Sequence, residues 1–138
     1  MTPVVGVGAI VFDAAGRVLL VERGKPPGEG LWTVPGGRLE HNETLAQAVA
    51  REVREETGLI VEVGALACVV ERMGDDFHFV ILDYLATVDG PGDARPAVVA
   101  GGDARAARWV AWSELATLPL TTGLLHVLEK ARGLVHLA

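Results

Sequence analysis

The segment from Thr44 to Gly58 restricts the fold of this chain most, because it has the pattern of one capped amphipathic helix. Its apolar side chains recur at helical spacing, and they are Leu45, Val49 and Val53. Thr44 and Gln47 have the spacing of a capping box, and Gly58 suits the position that follows the last helical turn. Strand-type segments precede and follow this helix. The sequence therefore predicts an α/β fold.

Most of the remaining chain consists of apolar, β-branched runs that predict strands. Before the helix these runs cover residues 4–12, 18–22 and 31–34. The first two are predicted to pair as a hairpin around the turn at 13–16, and Pro35-Gly36-Gly37 is predicted to break the third. After the helix the runs cover residues 60–72, 77–88 and 106–112. The run at 77–88 is apolar on both faces, so we expect both faces to be covered.

Helices are predicted at the end of the chain as well. A short helix is expected to start at Ser113, and Thr121 or Thr122 is expected to cap a final helix. Strands with helices on both sides predict a three-layer α/β/α sandwich. The length of 138 residues fits a single domain over residues 1–138.

Three carboxylates of the first helix are predicted to share one edge of its buried face: Glu52, Glu55 and Glu56, at positions i, i+3 and i+4. Arg51 and Arg54 are predicted to project elsewhere. Burial of an unpaired carboxylate costs free energy, and clustering adds mutual repulsion. A bound divalent cation would compensate for this charge. The alternative is an ordinary charged helix with Arg–Glu pairs.

The ligand types indicate which cation such a site would bind. Oxygen ligands alone favour a hard cation, Mg²⁺ or Mn²⁺. Between Gly36 and Gly58 there is no cysteine, and His41 is the single histidine, which argues against zinc. The formal net charge of −6 would repel a substrate that carries phosphates unless cations gather locally. The same charge argues against nucleic acid and anionic membranes as partners.

The sequence Gly37-x5-Glu43-x7-Arg51-Glu52-Val53-x-Glu55-Glu56-x-Gly58-Leu59 resembles the Nudix box at all nine specified positions over 23 residues. Pro35-Gly36 precedes the box, as is usual in that family. Asn42 stands where the family often has glycine, and asparagine tolerates left-handed turn conformations. The resemblance implies the Nudix fold, a three-layer α/β/α sandwich with a mixed central sheet.

The resemblance also implies roles for individual residues. Members of the family hydrolyse a nucleoside diphosphate linked to another group, with water attacking phosphorus. Glu52 and Glu56 would be metal ligands, Glu55 would contribute directly or through water, and the carbonyl of Gly36 would be a further ligand. Two pairs of residues would have structural roles: Glu43 with Arg51, which fix the loop–helix–loop, and Gly37 with Gly58, which permit the turns.

The general base of such an enzyme is a box glutamate or an acidic residue from a later loop. Asp103 is the main candidate for the later residue, because it precedes the strand that carries Trp109. The alternative for Asp103 is a solvated loop acid. Weaker candidates are Asp75, Asp76 and Asp93.

Two residues before the box are candidates for substrate binding. Arg23 ends a strand before a Gly/Pro loop and is predicted to bind a substrate phosphate, with a plain surface arginine as the alternative. Trp32 is a candidate for stacking on a base, with core packing as the alternative. A structural role is expected for His78, and packing roles for Trp109 and Trp112.

Cys68 is the single cysteine, which fits a reducing compartment. The start of the chain lacks a basic segment, and its apolar run ends at Asp13, too early to span a bilayer. We therefore expect a cytoplasmic protein. Homodimers are common in the family, and the residues leave the choice between monomer and homodimer open.

Three functions follow from the resemblance. RGKPPGEGLWTVPGG and HFVILDYLA are similar to bacterial ADP-ribose pyrophosphatase-like members, so ADP-ribose or a similar nucleotide is the first expected substrate. The second expectation is a MutT-like enzyme that hydrolyses nucleoside triphosphates, including oxidised ones. The third is a Nudix-fold ligand sensor without catalysis, and the complete set of box carboxylates argues against it.

Overall fold

A computed structural model of the chain describes residues 2–88 and 97–137. Asp93, one of the weaker candidates for the base, lies outside these ranges. The strands are β1 (Val4–Val11), β2 (Val18–Arg23), β3 (Trp32–Thr33), β4 (Gly36–Arg38), β5 (Val61–Met73), β6 (His78–Val88) and β7 (Ala104–Val110). The α-helices are α1 (Leu45–Thr57) and α2 (Leu124–Leu137), and a 3₁₀ helix covers Trp112–Thr117.

The strands form two sheets. The first has the order β4-β1-β6-β5, with β1 and β6 parallel and the other pairs antiparallel. The second has the order β3-β2-β7 and is antiparallel throughout. The predicted hairpin of β1 with β2 is wrong, because only a bridge between Phe12 and Val18 joins them. Both long edges of β1 are occupied instead by β4 and β6, which leaves β2 to pair elsewhere.

Strand β4 was not predicted, since Pro35-Gly36-Gly37 suggested that pairing ends there. In the structure Gly36 pairs with Gly8 of β1. A Cβ atom on Gly36 would lie 2.2 Å from the carbonyl oxygen of Val7. The glycines therefore permit the close approach of β4 to β1 rather than ending the sheet.

Helices cover the sheets from opposite sides. On one side α1 packs Ala48, Val49 and Val53 against a cluster that includes Val7, Ala9 and Val11. On the other side α2 packs Leu124, Leu128 and Ala131 against a cluster that includes Ile10, Val18 and Leu20. Alternate residues of β1 thus face different helices. This arrangement confirms the predicted three-layer sandwich with a mixed sheet.

The ends of α1 agree with the predictions from sequence. Thr44 and Gln47 form the capping box, and Gly58 ends the helix at φ 77°. Asn42 has φ 63°, the left-handed conformation expected of it. The predicted cap of α2 is wrong, because the helix begins at Leu124, and the buried hydroxyl of Thr121 has no hydrogen-bond partner within the described ranges.

Coverage of β5 and β6 is less complete than expected. In β6 only Asp83 and Ala86 are buried, and Val69 and Met73 of β5 are 54% and 69% exposed. Helix α1 covers only part of the side of the first sheet on which it packs. None of the helices in the described ranges is long and apolar enough to cross a membrane.

Candidate metal and active site

Two carboxylates of α1, those of Glu52 and Glu56, face strand β4. The backbone N–H of Gly36 donates a hydrogen bond of 2.7 Å to Glu56 Oε1. A Cβ atom on Gly37 would lie 2.4 Å from Glu52 Oε1, so this position leaves room only for glycine unless the carboxylate moves. Gly36 and Gly37 therefore form a surface of bare backbone against which the two carboxylates lie.

Two of the three carboxylates have the burial that the helical pattern predicts. Glu56 is 8% exposed, and the side chain of Glu52 is 13% exposed. The placement of Glu55 on the buried face is wrong, because its side chain is 51% exposed. Glu55 lies on the solvent side of the cluster, where its Oε2 is 3.4 Å from the same Arg51 Nη1 that contacts Glu52.

Burial leaves negative charge poorly compensated at this site. Desolvation raises the pKa of Glu56 to about 7, opposed by the hydrogen bond from Gly36, and nearby Glu52 and Asp103 raise it further. Desolvation also raises the pKa of Glu52, against the effect of its bond with Arg51. These shifts mark a place where positive charge would be stabilising.

Arg51 of α1 contacts the carboxylate cluster, so the prediction that it projects elsewhere is wrong. Its Nη1 lies 2.9 Å from Glu52, and its Nε and Nη2 donate to the two oxygens of Glu43 at 2.9 and 2.7 Å. Nη2 also donates to the carbonyl of Arg38 at 3.0 Å. The long side chain reaches past its own wheel position and joins α1 to the preceding loop. The Arg51 hydrogen bond lowers the pKa of Glu43 to about 2.

The loop before β7 brings Asp103 to the same site. Val99 N–H donates to the carbonyl of Thr57, and Gly101 N–H donates to the carbonyl of Glu56, which holds the loop against the end of α1. The charge of Asp103 is close enough to raise the pKa of both Glu52 and Glu56. Its carboxylate is 65% exposed and lies 2.9 Å from Lys25 Nζ.

The other predicted candidates are placed differently. Arg23 is near the site, since its charge lowers the pKa of Glu56, and its Nε donates to the carbonyl of Pro27 at 2.7 Å. Trp32 is 8% exposed within the core on the α2 side, with the Arg108 guanidinium 5.4 Å from its ring. This burial favours packing over base stacking. Asp75 and Asp76 lie in the exposed turn between β5 and β6.

His78 of β6 and the remaining tryptophans have contacts of a structural kind. His78 Nε2 lies 3.1 Å from Glu71 on the neighbouring strand. Trp109 is buried in the core on the α1 side, and Trp112 lies beneath the Arg132 guanidinium at 4.3 Å.

The residues at this site fit a hard divalent cation by the chemistry of their donors. Every donor is an oxygen: the carboxylates of Glu52, Glu55 and Glu56, and the carbonyl of Gly36. Within residues 2–88 and 97–137, however, no three His, Cys, Asp or Glu side chains are already arranged around a common point. Arg51 holds Glu52 and Gly36 holds Glu56, so both carboxylates must turn to share a cation.

Asp83 is a buried acid that the sequence reasoning did not single out. It is 5% exposed in the middle of β6, and burial raises its pKa to about 6, partly opposed by the charge of Arg72. The signal in the sequence was an acidic residue inside the apolar run FHFVILDYLATV.

Similar proteins agree with this architecture. An 8-oxo-dGDP phosphatase of Homo sapiens is 33% identical over 123 residues, which are 89% of this chain and 37% of that protein. An ADP-ribose pyrophosphatase of Methanocaldococcus jannaschii is 35% identical over 109 residues, 78% of this chain and 61% of that protein. The chain spans about a third of the length of the 8-oxo-dGDP phosphatases it matches.

Solved structures give the same result. A MutT NUDIX hydrolase from Burkholderia pseudomallei has a TM-score of 0.78 and 31% identity, and the match covers 94% of this chain and 98% of that chain. A bifunctional NMN adenylyltransferase/ADP ribose pyrophosphatase from Francisella tularensis, complexed with AMP and a Mn ion, has a TM-score of 0.74 and 27% identity, covering 93% of this chain and 40% of that chain. The family model described as the NUDIX domain matches residues 2–131, and the chain belongs to that family.

Proposed function

We propose that this chain hydrolyses the diphosphate linkage of a nucleoside diphosphate derivative and that the reaction depends on Mg²⁺ or Mn²⁺. The observation that carries the proposal is the pair of poorly solvated carboxylates, Glu52 and Glu56, against the bare backbone of Gly36 and Gly37. Burial of this charge is costly unless a cation binds. The Mn ion in the Francisella tularensis relative supports this assignment.

The ligands of the cation would be Glu52, Glu56 and the carbonyl of Gly36, with Glu55 acting directly or through water. When bound, the cation would neutralise the charge of the diphosphate and lower the pKa of the attacking water. The oxygen-only set of donors supports a hard cation rather than zinc.

The chain's own residues would position the substrate and accept the proton. Arg23, close to Glu56, would contact a phosphate oxygen. Asp103 would accept the proton of the attacking water, and a box glutamate is the alternative base. The bond between Arg51 and Glu43 would hold the loop and α1 in register, which is a positioning role.

ADP-ribose and an oxidised guanine nucleotide are the two candidate substrates, because relatives are named for each. The carboxylate site acts on the diphosphate, which both substrates contain, so it does not discriminate between them. We also propose that the protein is cytoplasmic and that its partners are small molecules rather than nucleic acid.

A substrate screen tests the proposal. The purified chain is mixed with ADP-ribose, 8-oxo-dGDP and 8-oxo-dGTP in Mg²⁺, and release of nucleoside monophosphate or phosphate is measured by chromatography. We expect turnover of at least one of these, lost in Glu56→Gln. Binding of these nucleotides without turnover would contradict the proposal and identify a Nudix-fold ligand sensor.

A further inference from the structure

Asp83 is a carboxylate for which the fold provides little compensation. It is 5% exposed, and within the described ranges it accepts no hydrogen bond. The charge of Arg72 acts on it, but the Arg72 guanidinium donates its hydrogen bond to the carbonyl of Thr122. Burial of an acceptor without a donor is unfavourable, and such groups are candidates for contact with a ligand.

The carboxylate of Asp83 lies against the backbone of Gly8, which has no side chain. Asp83 pairs with Gly8 of β1, and a Cβ atom on Gly8 would lie 2.2 Å from Asp83 Oδ1 and 3.2 Å from Val34 Cγ2. Among the described residues, Thr121 Oγ1 is the one unpaired side-chain oxygen that is closed off from solvent altogether. Asp83 is not among the groups that are closed off altogether, and it keeps an exposed fraction of 5%.

One row across the first sheet connects Asp83 with the candidate metal site. Asp83 pairs with Gly8, and Gly8 pairs with Gly36 on the next strand. Gly36 in turn donates to Glu56. Neighbouring strands are ~4.8 Å apart, so Asp83 lies roughly 10 Å from Gly36. Gly8 faces the α2 side of β1, as Ile10 does. A nucleoside with its base at Asp83 would therefore lie on that side of the sheet, and its phosphates would reach the carboxylates of α1 around the edge strand β4.

We propose that Asp83 recognises the substrate base by accepting hydrogen bonds from two adjacent donors, the N1–H and the exocyclic amino group of a guanine-type base. This inference rests on the proposed function and selects the guanine nucleotides within it. An ionised carboxylate offers two acceptors and no donor. Guanine presents two neighbouring donors, whereas adenine presents a donor beside an acceptor. With its pKa raised to about 6, Asp83 is ionised above neutral pH.

The first test is binding without turnover. Calorimetric titration of the full chain with dGMP and with AMP, in EDTA at pH 8, measures recognition of the base independently of hydrolysis. We expect dGMP to bind about tenfold or more tightly than AMP, because the wrong base leaves a buried acceptor unpaired. Equal affinities, or tighter binding of AMP, would overturn the proposal even if hydrolysis were established.

The second test uses Asp83→Asn, which replaces one acceptor with a donor at nearly constant shape. The ratio of dGMP to AMP affinity, and the ratio of kcat/KM for dGDP to that for ADP-ribose, should each fall by about 10- to 100-fold. Glu62→Gln, the same carboxylate-to-amide change at an exposed position of β5, is the control and should leave both ratios unchanged. A variant that keeps both ratios, or loses affinity for both nucleotides equally, shows that Asp83 is a structural partner of Arg72.

Discussion

The backbone N–H of Gly36 and the carboxylate of Glu56 are joined by a hydrogen bond of 2.7 Å that links strand β4 to helix α1. This bond is the main local compensation for a carboxylate that is 8% exposed. One N–H is too little to keep the charge at its ordinary pKa, so the folded protein holds Glu56 at a cost that a cation would remove. A metal ligand and a structural ion-pair partner at this position should respond differently to mutation and to metal.

Glu56→Gln removes one charge at nearly constant shape, and the amide oxygen can still accept from Gly36. In EDTA we expect the variant to be at least as thermally stable as the wild type, yet nearly inactive with Mg²⁺. Mg²⁺ should raise the Tm of the wild type more than that of the variant, because a ligand stabilises only the state that binds it. A variant that melts several degrees lower in EDTA and keeps its activity would make Glu56 a structural ion-pair partner.

The pH dependence of stability follows from the raised pKa of Glu56. Its folded pKa is about 7 against an ordinary value of 4.5. The stability that Glu56 contributes to the folded state is therefore fully present below pH ~4.5, and it is lost as the pH rises through ~7. Metal-free wild type should lose about 3 kcal/mol at most over this range, since one pKa unit is worth ~1.4 kcal/mol.

Urea unfolding in EDTA at pH 5 and pH 8 measures this loss. Asp83, with a pKa of about 6, acts in the same direction, so Glu56→Gln should reduce the loss without abolishing it. The pKa of Glu43 is about 2, so the pH range in which its titration changes the stability lies below both of the measured pH values. The same loss in Glu56→Gln and in wild type would show that Glu56 keeps an ordinary pKa.

Arg51→Ala should behave in the opposite way to Glu56→Gln. It removes the partner of Glu43 and of Glu52 and frees the carbonyl of Arg38. We expect the Tm to fall by several degrees with or without Mg²⁺. Arg51→Lys keeps the charge but not the two-pronged bond, so its Tm should fall between those of wild type and Arg51→Ala. Recovery of the lost stability by Mg²⁺ alone would contradict a structural role for Arg51.

Asp103→Asn tests the general base. If Asp103 accepts the proton, kcat should fall by ~10²-fold or more, while far-ultraviolet circular dichroism and Tm stay close to wild type. Glu62→Gln, at an exposed position of β5, is the control and should leave kcat within a factor of ~2. A decrease in kcat below threefold for Asp103→Asn would return the role to a glutamate of α1.

Local signals in the sequence predicted α1 well. Thr44, Gln47 and Gly58 act within one turn of each helix end, so their roles can be deduced from spacing alone. The wheel also placed Glu56 on the buried face, where the structure has it. It failed for Arg51, because a wheel gives the direction of Cβ and not the reach of a long side chain.

Contacts between distant segments were not predictable in the same way. The turn at 13–16 suggested a hairpin, but β1 pairs with β4 and β6, and no local pattern shows that competition. Asp83 was missed for the same reason. Its position opposite Gly8 depends on the register of two strands that are far apart in sequence.

The most direct test of the central claim is turnover in Mg²⁺ compared with turnover in excess EDTA. The substrate is whichever nucleotide gives the highest rate in the screen, and the same enzyme preparation is used in both conditions. If the carboxylates of α1 act through a bound cation, activity should vanish in EDTA and return when Mg²⁺ or Mn²⁺ is added in excess of the chelator. Full turnover in excess EDTA would contradict the account.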